Sequence, residues 1–318
     1  MGRPGGRLGV PKTLKCYGLA RLLVERDLWD GQWFATHDAA ALVGLADYVH
    51  RHAEMLDAIV VTGDLSTSAR DEDLSLAAAY FVRGVSADPP WEQVLADVTV
   101  PVGLIPGNHD RIGGSYWLPR LCKRFDRYFH GQWSGAQGAA EILQIPQSDP
   151  RIVVLGADFS RRSTLDMQLC RFGSGRVHDD VLESLSDQTL SAKRRYPRAL
   201  VLWLTHFTPA TLLFSGSHKT PKHLILDRDA RVLEAARACG VHSILSGHGH
   251  KHGILRHPCG VRVLTAGTAS QSDPRYRNWA HLLEFRFTQN GSLVSCQRVD
   301  ILRNGDEWRT HGKPTVVA

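Results

Sequence analysis

Val100-Pro101-Val102-Gly103-Leu104-Ile105-Pro106-Gly107-Asn108-His109-Asp110 is an apolar run that discharges into a glycine and three polar side chains. A short apolar run bounded by turn residues reads as a fully buried strand. Three other stretches repeat the arrangement. Ala58-Ile59-Val60-Val61 leads to Gly63-Asp64, Ala199-Leu200-Val201-Leu202-Trp203-Leu204 leads to His206, and Ser243-Ile244-Leu245 leads to Gly247-His248-Gly249-His250. Four buried-strand patterns therefore each end in a side chain of metal-ligand type. The expectation is that Asp64, Asn108, His206, His248 and His250 gather at one edge of one sheet.

Helical and extended patterns alternate around these strands. Residues 38–55 carry helical periodicity, with Ala41, Leu42, Leu45, Ala46 and Val49 on one face and Asp38 as the N-cap. Residues 73–83, 91–96, 179–193 and 229–239 also read as helical. Residues 152–155 form a further strand pattern. Residues 111–147, rich in glycine, read as irregular, and 207–224 read as a loop over a site. From about residue 261 to 318 the pattern is β-rich, with strands at 261–264, 282–287 and 293–299. The expected fold is an α/β sandwich in one domain, 1–318, with an irregular N-terminal segment over 1–37. In such sheets ligands gather beyond the carboxyl ends of the strands.

The totals fit this reading. The 318 residues are 43% hydrophobic, enough for a sizeable core. No apolar stretch reaches the roughly 20 residues of a membrane helix, and no signal-peptide core follows the first basic residues. The six cysteines are scattered without a Cys-x-x-Cys pair, as in reduced cytoplasmic proteins. A net charge of +6 admits a polyanionic partner. Arg21, Arg231 and Arg237, however, fall in helical patterns and read as solvated faces, so nucleic acid is not the favoured partner.

Each ligand candidate alone has a plainer reading. Asp64 can be a turn aspartate, and His206 a semi-buried histidine with ordinary partners. His248 and His250, two apart on extended chain, project to one side. In Gly107-Asn108-His109-Asp110, Asn supplies a neutral oxygen, His an adjacent proton donor, and Asp a group to fix the imidazole tautomer. Mixed Asp/Asn/His ligation suits Mn, Fe, Zn or Co and not a thiolate-rich structural zinc site.

Together, Gly63-Asp64, Gly107-Asn108-His109-Asp110, His206 and Gly247-His248-Gly249-His250 resemble the metal signature of calcineurin-like metallophosphoesterases, over roughly residues 38 to 270. The resemblance implies a four-layer α/β/β/α sandwich and two divalent metal ions. It implies that Asp64 bridges both ions, that Asn108, His206 and His248 complete one, and that His250 binds the other. It implies that His109 is catalytic, stabilising the phosphoryl group and protonating the leaving oxygen, with Asp110 orienting it. The implied reaction is hydrolysis of a small phosphomonoester or phosphodiester by a metal-bound hydroxide.

One part of the family pattern is absent. The family begins with Asp-x-His at the end of a first strand, and this chain has none before Asp64. Thr36-His37-Asp38 has the residue types in the wrong order. Met1-Gly2-Arg3-Pro4-Gly5-Gly6-Arg7 resembles the loop that follows that motif. The expectation is that the chain starts just downstream of it, lacks the first strand and has an incomplete second metal site. The alternatives are a nuclease of the same superfamily and a catalytically impaired member acting as a binding scaffold. Arg111–Arg120, Arg161, Arg162, His178 and His218–His223 are candidates for substrate contact, outside the core site.

Overall fold

Strands whose two faces are both apolar organise the molecule. In the computed structural model, β4 (Ile152–Ala157) and β6 (Leu200–Thr205) pair in parallel at the centre of a six-stranded sheet. Val153, Leu155, Val201 and Trp203 enter one core, while Ile152, Val154, Leu202 and Leu204 enter another on the opposite face. Alternation of this kind, apolar on both sides, marks a sheet covered by layers on each face. The structure describes residues 37–66, 69, 71–85, 92–111, 124–135, 138–160, 175–209, 226–270 and 277–317.

The sheet order is β3 (Ala139–Ile145), β4, β6, β8 (Ser243–Ser246), β10 (Arg262–Thr265), β9 (Gly253–Arg256). The central four strands are parallel and the two edges antiparallel. Helices α4 (Asp179–Arg195) and α5 (Asp229–Ala238) cover its outer face through Val181, Leu182, Leu185, Val232, Leu233 and Ala236. Its inner face packs on Leu104, Ile105, Cys296 and Val317. These belong to or flank β1 (Ile59–Val61) with β2 (Val102–Leu104), a parallel pair, and β11 (Trp279–Phe287), β12 (Leu293–Asn304) and β13 (Glu307–Val316), an antiparallel set. A small pair, β5 (Gly175–Arg176) with β7 (Leu226–Asp227), lies apart from both.

Helix α1 (Ala39–His52) begins where Asp38 accepts the Ala41 N–H, as the N-cap reading requires, and runs on into a 3-10 turn at Ala53–Met55. Ala41 and Tyr48 meet Ile301 and Trp308, while Leu42, Ala46 and Val49 meet Tyr80, Val94 and Leu95. Helix α2 (Asp71–Phe81) completes that flank. The result is the expected four layers: helices α4 and α5, the six-stranded sheet, the smaller sheets, and helix α1 with α2.

Two expectations need correction. Residues 111–147 are not wholly irregular, since they hold α3 (Arg124–Tyr128) and β3. The Ala-Ala-Glu-Ile-Leu-Gln-Ile run of β3 breaks its alternation at a bulge between Glu141 and Leu143, which masks a period of two. The helix read at 91–96 reduces to a 3-10 turn at Leu95–Asp97. The expected absence of a first strand, the loop over 210–224, Arg161, Arg162 and His218–His223 all fall outside the described residues. Among the described residues no helix is long and apolar enough to cross a membrane.

Candidate metal centre

The four motif strands end together but do not share one sheet. Asp64 and Asn108 follow β1 and β2, whereas His206 and His248 follow β6 and β8 of the six-stranded sheet. The site is therefore built across the seam between two sheets, not along one edge. An apolar run reveals burial but not which sheet receives it.

His206 is the pivot. Its Nδ1–H donates to the Thr62 carbonyl over 2.7 Å, so in the neutral ring the Nε2 lone pair points the other way. Nε2 lies 2.8 Å from Asn108 Oδ1, 3.1 Å from His248 Nδ1 and 3.2 Å from Asp64 Oδ2. Asn108, His206 and Asp110 are buried. Electron-rich atoms converging at such distances repel unless a proton or a cation stands among them. The ligand atoms of Asp64, His206 and His248 all lie within 4.8 Å of one another. An imidazole held by a backbone carbonyl with its far nitrogen facing a carboxylate is the usual support of a metal-ligating histidine. The donor set thus fits a divalent ion of the Mn, Fe, Zn or Co type.

The electrostatics agree. Burial penalises the Asp64 carboxylate, but the charges of His206 and His109 outweigh it and hold Asp64 well below the usual carboxylate range. Burial lowers His206, yet the charge and hydrogen bond of Asp64 leave it above its ordinary value.

Backbone strain concentrates here. Asp64, His248 and His250 adopt φ of 56°, 62° and 51°. Left-handed conformation in residues with a Cβ costs on the order of 1 kcal/mol each and persists where the surroundings enforce it. The expectation of extended chain at His248 and His250 is overturned: both sit on a left-handed turn, pinned where the Thr208 hydroxyl donates to the Gly247 carbonyl over 2.7 Å. Phe207 packs its ring edge against His248, centroids 4.5 Å apart.

Asp110 turns toward the neighbouring loop. Its carboxylate accepts the N–H groups of Gly107, Leu65 and Ser66 and the Ser66 hydroxyl. It clamps the Asp64 loop to the Asn108 loop. Burial and the Asp64 charge push it up to about 6 against those donors. The His109 N–H donates to Asp64 Oδ1 over 2.9 Å, and its side chain lines the same cavity. Arg111 is also not a substrate contact: buried, it is paired with Asp158 at 2.8 Å and Asp126 at 2.9 Å. His178 stands at the N-cap of α4.

A cavity of about 1190 Å³ opens onto the site, with His37, Asp64, His109, His206, His248 and His250 in its wall. His37 lines this cavity although its neighbours Thr36 and Asp38 stand in the wrong order for Asp-x-His. It is brought here because Asp38 caps α1 and ties the chain to Ser270, its N–H donating to the Ser270 carbonyl over 2.6 Å. A local signal for this was lacking, since Ser270 is 233 residues from His37.

The sequence model of the calcineurin-like phosphoesterases matches residues 31–252. The fold is similar to that of a dimetal phosphatase from Danio rerio, at 16% identity over 85% of this chain and 88% of that chain, with a TM-score of 0.54. It is also similar, more loosely, to GAP50, the anchor in the inner membrane complex of Plasmodium, at 12% identity over 87% of this chain and 85% of that one, with a TM-score of 0.44. Comparison with curated proteins gives no match.

Proposed function

The chain belongs to the calcineurin-like phosphoesterase family, and on that footing we propose that it hydrolyses a small phosphomonoester or phosphodiester with two divalent ions of the Mn, Fe, Zn or Co type. The observation that carries the reading is the convergence of Asn108 Oδ1, His206 Nε2, His248 Nδ1 and Asp64 Oδ2 on one point.

Asp64, Asn108, His206 and His248 hold one ion, and Asp64 with His250 takes part in holding the other. Bound divalent ions supply Lewis-acid polarisation of a phosphoryl oxygen and acidify water. The chain's own residues do the rest. Asn108 ligates without adding negative charge, which keeps the site receptive to a phosphate. The His206 Nδ1–H to Thr62 bond fixes the tautomer that presents Nε2. His109, held beside Asp64 by its own N–H, donates a proton to the leaving oxygen.

The test is turnover of p-nitrophenyl phosphate and bis-p-nitrophenyl phosphate with added Mn. Asp64→Ala is expected to lower kcat/KM by roughly a thousandfold, the several kcal/mol that metal polarisation supplies. Wild-type rates in Asp64→Ala would remove the metal-centred reaction. The ratio of the two substrates separates monoesterase from diesterase.

The net charge of +6 favours one second reading, a nuclease. Its signature is DNA binding that weakens steeply with salt. The free thiols Cys239, Cys259 and Cys296 support a reducing, cytoplasmic setting.

A further inference from the structure

We propose that Thr208 is a positioning residue of the metal centre: its hydroxyl, acting through the Gly247 carbonyl, sets His248 against His206. The proposal rests on the metal-centred reading above and concerns a residue outside the ligand set.

The parallel pairing of β6 with β8 ends at Thr205 opposite Ser246, so both histidines lie beyond the ladder. Gly247 carries the connection across. Its N–H donates to the His206 carbonyl over 3.0 Å, and its carbonyl accepts the Thr208 hydroxyl over 2.7 Å. Both polar groups of Gly247 are thereby tied to the stretch that begins with His206. A Cβ on Gly247 would lie 2.6 Å from Thr62 Oγ1, and the Thr62 carbonyl takes the His206 Nδ1–H. His248 follows at φ 62°, a conformation that a residue with a Cβ holds only where its surroundings enforce it. On this turn His248 Nδ1 stands 3.1 Å from His206 Nε2.

The Thr208 hydroxyl is itself held in place. Two register partners at the ends of β8 and β10, Ser246 and Thr265, bring their hydroxyls to it. The Ser246 hydroxyl donates to Thr208 Oγ1 over 3.1 Å, and Thr265 Oγ1 stands 3.3 Å away. All three side chains are buried. A hydroxyl has one proton to give and two lone pairs to offer. Thr208 gives its proton to Gly247, so Thr265 is the donor of its pair. Two incoming protons occupy the lone pairs and aim the remaining O–H at the Gly247 carbonyl. In a buried setting this chain of hydroxyls is fully satisfied only with that aim. Partners behind a ligand that fix its orientation govern metal affinity nearly as much as the ligand does.

The experiment titrates Mn(II) into the full chain by calorimetry. Thr208→Val keeps the shape of the side chain and removes the proton, and its Mn affinity is expected to fall roughly tenfold to a hundredfold. Thr208→Ser keeps the hydroxyl and is expected to bind Mn as wild type does. Thr189, on the outer face of the six-stranded sheet, supplies the control. Its buried hydroxyl donates to the Leu185 carbonyl over 2.7 Å and accepts the Trp203 Nε1–H over 2.8 Å. Thr189→Val is expected to lower the melting temperature and leave Mn affinity unchanged. Should Thr208→Val fail to fold by circular dichroism, Thr208→Cys, a weaker donor, decides in its place. Wild-type Mn affinity in the folded Thr208→Val chain, or an equal loss in Thr208→Ser or Thr189→Val, overturns the positioning role and leaves the hydrolase reading standing. A wild-type chain that binds no Mn overturns both.

Discussion

Gly107 has no room for a side chain, and that fact locates the site more sharply than any ligand. A Cβ there would lie 2.1 Å from Asp64 Oδ1 and 2.3 Å from the Asp64 nitrogen. Gly63, at φ 98°, is as confined: its Cβ would meet the Gly107 nitrogen at 2.7 Å and His206 Nδ1 at 2.8 Å. The two glycines let the Asp64 and Asn108 loops touch, and the Asp110 clamp locks them. Gly107→Ala is therefore expected to displace Asp64 and lower Mn-supported turnover by about a hundredfold, a loss of roughly 3 kcal/mol in transition-state stabilisation. Unchanged Mn affinity by titration calorimetry would contradict it. These motifs were legible because glycine next to a ligand residue has a geometric reason. The role of Asp110 was not, since a carboxylate beside a histidine in sequence gives no hint that it turns back to three backbone N–H groups. His37 reaches the cavity wall without a local reason, since a partner 233 residues away places it.

At the scale of elements, the buried ion pair behind the site does the bracing. Arg111, directly after Asp110, is paired with Asp158 at the end of β4 and with Asp126 of α3. It also lies over the Phe125 ring, 5.2 Å from its centroid. Burial works against this charge, and the two carboxylates outweigh it and raise the Arg111 pKa. Asp158 in turn accepts the N–H and hydroxyl of Ser160. Arg111→Met leaves Asp158 charged and buried, and urea unfolding is expected to show a loss of about 3–5 kcal/mol. A loss under 1 kcal/mol would mean that Asp158 is solvated after all. Strands β4, β6 and β8 were readable since both faces are apolar. Six residues of β4 pair with six of β6, from Ile152 with Leu200 to Ala157 with Thr205. Strand β3, an antiparallel edge with a bulge, offers no continuous pattern, and β9 is a four-residue edge of mixed polarity.

Across the whole molecule, two cores on either side of the six-stranded sheet set the stability, and histidines at their margins set its pH dependence. Burial lowers His242 to about 4, and the Arg262 charge on the neighbouring strand β10 adds to the effect. The unfolded chain takes up that proton near pH 6.5, whereas the folded chain resists to about 4. Protons thus bind the unfolded state in excess between those limits, and stability falls as pH drops through this window. Allowing for the ring's partial exposure, the contribution is on the order of 1 kcal/mol. Thermal melts at pH 7 and pH 4.5 are expected to show a smaller acid drop in His242→Gln than in wild type; equal drops contradict the assignment. The layered architecture was legible at this scale from the alternation of strand and helix patterns. That the ligands come from two sheets was not, because pairing between strands distant in the chain leaves no local trace.

The central claim is that Asp64, Asn108, His206 and His248 enclose one cation. Anomalous diffraction from crystals soaked in Mn tests it most directly. The account predicts a peak within about 2.0–2.4 Å of Asp64 Oδ2, Asn108 Oδ1, His206 Nε2 and His248 Nδ1. Mn-dependent turnover in crystals whose only anomalous peak lies away from these four atoms would contradict it.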